Sequence, residues 1–477
     1  MKRKLVLLTA AALMAASVAG CGAKKAAETE STVSTPSEAE KTTETVSEEK
    51  NADIVIVGAS GAGYAAAIQA VDEGVAAENI MILEKGEKRV DAAAAAMGGM
   101  NAAESDYQIN AGIEDDVETY AADINKAGDN MGDPELVTYM ADSAKESLEW
   151  LKDMGLELSM ISSDNGSTVP RTHRPADDSS AGTAIMNLLE SKTEELKIPV
   201  VYGTETTGIL FDEEGEVSGV TAVTSEGEQK INCKAVIIAS GGFGANQSMV
   251  SEYIPDLAEV KSVSDETATG AGISLAQSAG AAVVNMDQAE LYPLVDIQTG
   301  TMVTQDLYRM GAVLVNNSGE RFVDEAAEVG NKVAKAMLQQ PDGYAYVVFD
   351  EKVKNSEPAV ADYEAAGIVK MGATVEELAQ TLGVPADAFA STLNGVLSDG
   401  PYYAIQCSPR ILTTLGGVKI TNCAEAVNGE DEVIPGLFAA GDVTGGVHGS
   451  SILDGDYLTA MLVFGRTAGT EAAGMVQ

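Results

Sequence analysis

The chain has 477 residues, of which 73 are acidic and 30 basic, so its formal net charge at neutral pH is −43. A body of this sign repels phosphate groups, and the composition therefore excludes nucleic acid as a partner. With two histidines and no CxxC pair among its four cysteines, the sequence predicts neither a histidine-rich metal site nor a disulfide framework.

The N-terminus is typical of a secretion signal. The basic residues Lys2–Lys4 precede the mostly apolar stretch Leu5–Val18, and small residues lead to Cys21. This order resembles a bacterial lipobox, which predicts a signal peptide over residues 1–20 and lipidation of Cys21; an ordinary signal beside a chance cysteine is the alternative. Residues 21–52 are polar, lack aromatic residues and predict a disordered tether. We therefore expect a lipid-anchored protein on the extracytoplasmic side of a bacterial cell membrane.

The folded part is expected to begin with a dinucleotide-binding βαβ unit. A short apolar strand, Asp53–Gly58, enters a glycine-rich turn and a helix, and a second apolar strand, Ile80–Glu84, follows. Backbone N–H groups at such a helix start bind a pyrophosphate, and the acid that ends the second strand binds ribose hydroxyls. Ser60 stands where the second glycine of the turn is usual. The predicted cofactor residues of this unit are Gly58, Ser60, Gly61, Ala62, Gly63, Glu84 and Lys85.

Two later glycine-rich segments favour FAD over NAD as the dinucleotide. Ala235–Gly244 reads as a strand and a turn, and Val433–Gly446 reads as a strand, a turn and an acid before a helix from about Leu458 to Ala473. Folds with two such segments bind FAD, with the late acid at the ribityl chain and the last helix directed at the isoalloxazine ring. The predicted cofactor residues here are Ala239, Ser240, Gly241, Gly441, Asp442, His448, Tyr457 and Leu458.

Further motifs extend a resemblance to a known family along nearly all of residues 53–477. In chain order they are Gly98–Ala102, Trp150–Gly155, His173–Pro175, Met302–Thr304, Gly311–Asn316, Gly319–Glu325, Tyr402–Ile405 and Gly445–Gly449. Together they resemble the flavoprotein subunits of fumarate reductase and succinate dehydrogenase, and in particular the soluble flavocytochrome c and urocanate reductase branch. The resemblance adds Gly98, Gly99 and Met100 to the predicted cofactor contacts.

The resemblance implies an α/β fold in which an α+β capping domain interrupts a Rossmann-like FAD-binding domain. The FAD-binding parts would span residues 53–291 and 413–477, and the cap residues 292–412, with the substrate between them. The haem and covalent-FMN domains of some relatives are absent from this sequence. Electrons are therefore expected from an external carrier, which would be a flavoprotein, a cytochrome or a quinone-linked donor.

The same resemblance reveals a changed active site. Fumarate-reducing relatives protonate the substrate with a cap arginine, supply the proton through an acid and a second arginine, and bind carboxylates with two histidines and a clamp arginine. Here the cap arginine falls in the arginine-free segment Ala326–Asn331, the acid on Gln305 and the second arginine on Tyr308. The two histidines fall on Tyr292 and Thr413, and the clamp arginine falls on Ile452. Two carboxylates need paired cationic partners to leave water, and Ile452 supplies none. The sequence therefore argues against fumarate, and the same reasoning weakens urocanate.

Other residues are candidates for the acid chemistry. Tyrosine can protonate the carbon next to a carbonyl, as in ketosteroid dehydrogenases of this broad fold, so Tyr292 and Tyr308 are candidate catalytic residues. Arg410 is the third candidate, as a replacement cationic partner, and Arg309 is a further possibility. The alternative is that the tyrosines only pack and the arginines are only solvated.

Three functions remain open. The leading hypothesis is a reductase of an activated C=C bond in a small unsaturated organic substrate, an enoate or enone other than fumarate. The second is a dehydrogenase that introduces a C=C bond next to a carbonyl, because the sequence does not locate the charges that set the flavin potential. The third is a non-catalytic flavin- or ligand-binding lipoprotein. A short connection between Leu397 and Tyr402 favours a larger, less anionic substrate.

Overall fold

The computed structural model describes residues 50–90, 92–93, 98–163, 166–325, 328–398 and 400–477. The predicted signal peptide, Cys21 and nearly all of the predicted tether lie outside the described residues, as do residues 326 and 327. The strands are β1 (Lys50–Asn51), β2 (Ile54–Val57), β3 (Ile80–Leu83), β4 (Met100–Asn101), β5 (Met160–Ser162), β6 (Thr172–Arg174), β7 (Val200–Val201), β8 (Glu205–Phe211), β9 (Val217–Thr224), β10 (Gly227–Asn232), β11 (Ala235–Ile238), β12 (Val283–Val284), β13 (Ala289–Asp296), β14 (Val313–Val315), β15 (Ala345–Asp350), β16 (Lys370–Gly372), β17 (Tyr402–Thr414), β18 (Gly417–Lys419), β19 (Glu425–Val427), β20 (Val433–Ala439) and β21 (Thr444–Gly445). The helices are α1 (Gly61–Asp72), α2 (Asp106–Ala111), α3 (Val117–Ala127), α4 (Pro134–Asp153), α5 (Ala181–Leu196), α6 (Gln247–Tyr253), α7 (Ala271–Ser278), α8 (Asp306–Arg309), α9 (Gly330–Leu338), α10 (Glu351–Ser356), α11 (Ala359–Ala365), α12 (Val375–Leu382), α13 (Ala386–Leu393) and α14 (Asp456–Val476).

The central sheet has the order β19-β20-β11-β2-β3-β7. Its strands from β20 to β7 are parallel, and β19 joins the edge antiparallel. The strands β2 and β11 are continuous apolar runs and are buried at every residue, as expected for a parallel sheet covered on both faces. This sheet confirms the α/β class that the sequence predicts.

Helices α1 and α14 pack directly against each other because α14 carries glycines at the contact. A Cβ atom on Gly465 would lie 2.8 Å from the carbonyl oxygen of Ala62, and one on Gly469 would lie 2.3 Å from that of Ala66. Only glycine permits such a close approach of two backbones. The helix begins two residues earlier than the sequence predicts, at Asp456, so its first turn lies close to the C-terminal glycine-rich segment.

A second sheet, of order β13-β17-β15-β14 with β16 also paired to β17, is antiparallel throughout. The side chains of β15 alternate between two hydrophobic clusters, with Val347 and Phe349 in one and Tyr346 and Val348 in the other. Each face of this sheet therefore has a core of its own. Strand β17 runs on into the main core, which contains Ile411. The domain boundaries 53–291, 292–412 and 413–477 remain a proposal.

A buried ion network connects the start of α14 to α3. Arg171 donates from Nε and Nη2 to the two carboxylate oxygens of Asp115, at 2.9 and 2.8 Å, and from Nη1 to Asp123. Its guanidinium group lies over the ring of Tyr120, whose hydroxyl donates to Asp456 at 2.6 Å. Burial raises the pKa of Asp456 to about 7.

Within the described part of the chain, no helix is long and apolar enough to cross a membrane.

Candidate functional site

The first feature of the site is the turn between β2 and α1. Gly58 has a φ angle of 114°, and a Cβ atom there would lie 2.5 Å from the carbonyl oxygen of Ala239. Ser60 caps the helix: its hydroxyl accepts a hydrogen bond from the N–H of Gly63 at 3.2 Å and donates to Ala239 at 2.7 Å. The serine at the usual glycine position therefore ties the turn to the end of β11. The positive end of α1 remains oriented towards a bound anion.

The acid predicted at the end of β3 is held by backbone groups. Glu84 is buried and accepts hydrogen bonds from the N–H of Ala59 at 3.0 Å and of Gly86 at 2.7 Å. The neighbouring Lys85 donates from Nζ to the carbonyl oxygen of Thr267 at 2.8 Å and to the hydroxyl of Thr269 at 2.6 Å. These bonds orient the Glu84 carboxylate at the wall of a cleft, where it can accept bonds from ribose hydroxyls.

This first cleft contains about 410 Å³ of empty space, open solvent included. The hydroxyl of Ser240 is buried in its wall with no hydrogen-bond partner among the described residues, which fits a polar ligand. The lining residues are Val57, Gly58, Leu83, Glu84, Lys85, Val90, Thr204, Glu205, Thr206, Ser240, Thr267, Ala271, Gly272 and Leu275.

A second cleft, with about 400 Å³ of empty space that includes open solvent, lies at the start of α14. Asp442 accepts hydrogen bonds there from the hydroxyls of Thr413 at 2.6 Å and Tyr457 at 3.1 Å, and burial raises its pKa. Burial lowers the pKa of His448 to about 4, so its imidazole is neutral at neutral pH, and its Nδ1 is without a partner among the described residues. The lining residues are Thr413, Thr414, Leu415, Gly441, Asp442, Thr444, Val447, His448, Ile452, Tyr457, Ala460, Met461 and Phe464.

Both clefts adjoin residues at the start of α1. Gly58 lines the first cleft, and Gly441 lines the second. Gly441 lies against Ala62 of α1, because a Cβ atom added to this glycine would be 3.1 Å from the Cβ atom of Ala62. A dinucleotide with its pyrophosphate at this helix start would have residues of both clefts next to it. The buried hydroxyl of Ser240 and the buried Nδ1 of His448 give each cleft a polar atom for such a ligand. The residues present fit FAD, with adenosine in the first cleft and flavin in the second.

The predicted cofactor residues are divided between these clefts and the segments that support them. Gly58, Glu84, Lys85 and Ser240 line the first cleft, and Gly441, Asp442, His448 and Tyr457 line the second. The remaining ones line neither cleft: Ser60, Gly61, Ala62 and Gly63 form the start of α1, Ala239 and Gly241 flank Ser240, and Leu458 is buried in α14. All of these contacts stay predictions until a bound cofactor is observed.

Gly98, Gly99 and Met100 also lie outside both clefts. Met100 pairs with His173 in the small sheet β4-β6-β5. A Cβ atom on Gly99 would lie 2.4 Å from the carbonyl oxygen of His173. The glycine at this position is therefore explained by the close approach of two chain segments.

Of the predicted catalytic residues, Tyr292 and Arg410 lie on the second sheet and Tyr308 lies in α8, and none of them lines either cleft. Tyr292 is paired with Arg410 across β13 and β17, and its hydroxyl donates to the carbonyl oxygen of Val303 at 2.9 Å. The hydroxyl of Tyr308 is buried without a partner among the described residues. Arg410 donates to the hydroxyl of Ser408 and to the carbonyl oxygen of Pro409. Their catalytic roles stay predictions.

Glu290 contacts residues that line the second cleft, and sequence reasoning did not single it out. Its Oε2 accepts a hydrogen bond from the N–H of Ile452 at 2.9 Å, and its cross-strand partner is Thr413. Burial raises the pKa of Glu290 to about 8. The sequence signal for Glu290 was its position two residues before Tyr292. However, the pairing of β13 is irregular on both sides of Leu291 and Tyr292. Simple alternation of side chains along the strand therefore does not predict which face Glu290 occupies.

The parallel sheet, the glycine turn and the two clefts define a flavoprotein of the two-segment dinucleotide-binding class. The sequence model of the FAD binding domain matches residues 53–458. The chain belongs to this family of FAD-binding flavoproteins, among the relatives of the fumarate reductases. The predicted family, FAD as the cofactor and the oxidoreductase class are thereby confirmed.

Three similar proteins illustrate the relationship. The chain is 36% identical over 446 residues to the NADH:fumarate oxidoreductase of Klebsiella pneumoniae (strain 342), covering 89% of this chain but 48% of that protein, so it spans about half of that relative's length. It is 32% identical over 463 residues to the urocanate reductase of Eggerthella lenta, covering 89% of this chain and 75% of that protein. The open conformation of a flavocytochrome c3 fumarate reductase superimposes with a TM-score of 0.79 at 31% identity, covering 90% of this chain and 79% of that one.

Gly58→Ala tests the turn. We expect the dissociation constant for FAD to rise about tenfold or more, because the new Cβ meets the Ala239 carbonyl and the backbone angle disfavours alanine. Gly227→Ala is the matched control, since Gly227 has a φ of 118° but nothing within 4 Å of its Cβ position. Flavin fluorescence titration of both variants measures the effect. Equal FAD affinity in the two variants would contradict this account of the turn.

Proposed function

We propose that the protein reduces the activated C=C bond of an enoate or enone other than fumarate, with electrons from an external carrier. The observation that supports this most is the wall of the second cleft. No lysine or arginine is found among the described residues that line it, and Ile452 and Thr413 occupy the places of the clamp arginine and of a histidine.

The chemistry of the cleft favours a substrate with little negative charge. A bound FAD supplies a hydride at its flavin ring. Around that end of the cofactor the chain offers a neutral imidazole at His448, the carboxyl group of Asp442 and the apolar side chain of Ile452. A dicarboxylate brought into this cleft would lose its hydration without gaining cationic partners, which costs several kcal/mol per charge.

An anaerobic reoxidation assay tests the substrate class. The purified, FAD-loaded protein is reduced and mixed with 2-cyclohexenone, cinnamate, urocanate, acrylate or fumarate. We expect cyclohexenone or cinnamate to restore the oxidised flavin spectrum at least about tenfold faster than fumarate, since only fumarate carries two carboxylates. Free reduced FAD with the same compounds is the control. Fastest reoxidation by fumarate would refute the proposed substrate class, and no reoxidation by any compound would refute the proposed activity.

Tyr292→Phe and Tyr308→Phe test the proton donor. If a tyrosine hydroxyl protonates the carbon next to the carbonyl, its removal lowers the reoxidation rate about 100-fold, the usual contribution of a positioned general acid. Tyr363→Phe is the matched control, because the hydroxyl of Tyr363 in the same cluster accepts a bond from the N–H of Thr304. Wild-type rates in both variants would remove the tyrosines from the reaction.

The proposed anchor is a lipid on Cys21, with the protein on the extracytoplasmic side. It rests on the leader sequence alone. We expect intact-mass spectrometry of the membrane-extracted protein to show a chain that begins at Cys21 and carries diacylglyceryl mass, and Cys21→Ser to abolish that mass. Cys423→Ser is the control and keeps it. A mature chain without lipid would contradict the anchor.

A further inference from the structure

The carboxyl group of Glu290 lies next to two residues that line the second cleft. Its Oε2 accepts from the N–H of Ile452 at 2.9 Å, and it faces Thr413 across the antiparallel pair of β13 and β17. Both of these neighbours line the cleft, and Glu290 itself is 8% exposed. Ile452 stands where fumarate-reducing relatives have a clamp arginine. A carboxyl group therefore lies beside the position that lacks this cation.

The groups around Glu290 keep this carboxyl uncharged at neutral pH. Burial raises its pKa to about 8, and Asp454, on the loop that follows Ile452, acts in the same direction. The N–H of Ile452, the hydroxyl of Ser451 and the ammonium group of Lys335 on α9 oppose this shift without cancelling it. On β17, the nearest cation along the strand is Arg410, which donates to Ser408 and Pro409.

The segment that carries Glu290 is held firmly. Asn331 of α9 accepts from the N–H of Leu291 at 3.3 Å and donates to the carbonyl oxygen of Ser450 at 2.8 Å. One side chain thus joins β13, α9 and the loop that contains Ile452. Glu290 is consequently set on a supported strand rather than on an unconstrained loop, as a group that must meet a substrate requires.

A protonated carboxyl has one O–H to donate. A neutral carbonyl oxygen can accept that bond without bringing charge into the cleft. This matters because no lysine or arginine is found among the described residues that line the second cleft. A carboxylate in the same place would bring an uncompensated charge. We propose that Glu290 donates a hydrogen bond to the carbonyl oxygen of the substrate, and that the substrate is an enone rather than an enoate. This assignment rests on the proposed reductase function.

The chemistry balances with Glu290 acting only as a donor. The substrate would gain a hydride from bound FAD at its β-carbon and a proton from Tyr292, Tyr308 or water at its α-carbon, and its C=C π bond would be lost. The two electrons would come from the external carrier. Negative charge develops on the carbonyl oxygen between the two additions. A hydrogen bond from Glu290 to that oxygen would stabilise this charge, and Glu290 would keep its own proton.

The test compares pH profiles of full-length, FAD-loaded protein. The rate of anaerobic reoxidation by 2-cyclohexenone is measured from about pH 6 to pH 10. Donation needs the protonated form, which is fully present below the pKa and is lost as pH rises, so the wild-type rate should fall above about pH 8. Glu290→Gln still donates from its amide at every pH, so its profile should lack this fall. Glu290→Leu should be about 100-fold slower at pH 7.

A matched control and a binding measurement separate this role from a structural one. Glu325 is also buried with a raised pKa, but it accepts from Arg321 at 2.8 Å and lines neither cleft. Glu325→Gln should therefore keep the wild-type pH profile. The flavin difference spectrum of the oxidised protein should show cyclohexenone binding about tenfold more weakly to Glu290→Leu, with FAD content unchanged.

Several outcomes would overturn the assignment. A wild-type rate in Glu290→Leu, or a fall above pH 8 that persists in Glu290→Gln, would exclude Glu290. Reoxidation by cinnamate but not by cyclohexenone would leave the proposed reductase function in place and refute the enone assignment. Reoxidation by none of the five compounds would refute both.

Discussion

The site depends on backbones that approach each other too closely for any side chain. At one end of α1, the turn at Gly58 lies against the carbonyl of Ala239, and along its length the helix lies against Gly465 and Gly469 of α14. This contact brings the ends of β2 and β11 to the first cleft and the first turn of α14 to the second. A cofactor that binds both clefts therefore depends on glycines that contribute no chemistry themselves.

Two carboxyl groups lie in or next to the wall of the second cleft, and burial favours the neutral form of both. Removing a carboxylate from water is unfavourable unless a cation accompanies it, so burial raises the pKa of Asp442 and Glu290. Neutral carboxyl groups can occupy a wall that contains Ile452 without a counter-ion. Under the proposed function, this polarity favours a neutral carbonyl over a dianion as the group that the substrate presents, within a family that includes fumarate reductases.

The sequence was sufficient to predict the cofactor, because the motifs that indicate a dinucleotide are short and contiguous. The strand, glycine turn, helix and acid from β2 to Glu84 are contiguous, and each residue's requirement follows from backbone geometry. The substrate side was less accessible. Strand β13 has irregular pairing around Leu291 and Tyr292, and such irregularities change which face a side chain occupies. Residue spacing therefore drew attention to Tyr292 and missed Glu290.

The sequence by itself determined the α/β class, the family and FAD, because those depend on contiguous motifs and on glycines whose backbone conformation few other residues can adopt. It also determined what the clamp position lacks, since Ile452 cannot carry charge. Only the tertiary structure decided what lies behind that position. Glu290 and Ile452 are 162 residues apart in the chain, and the pKa of a carboxyl depends on burial that no local pattern records.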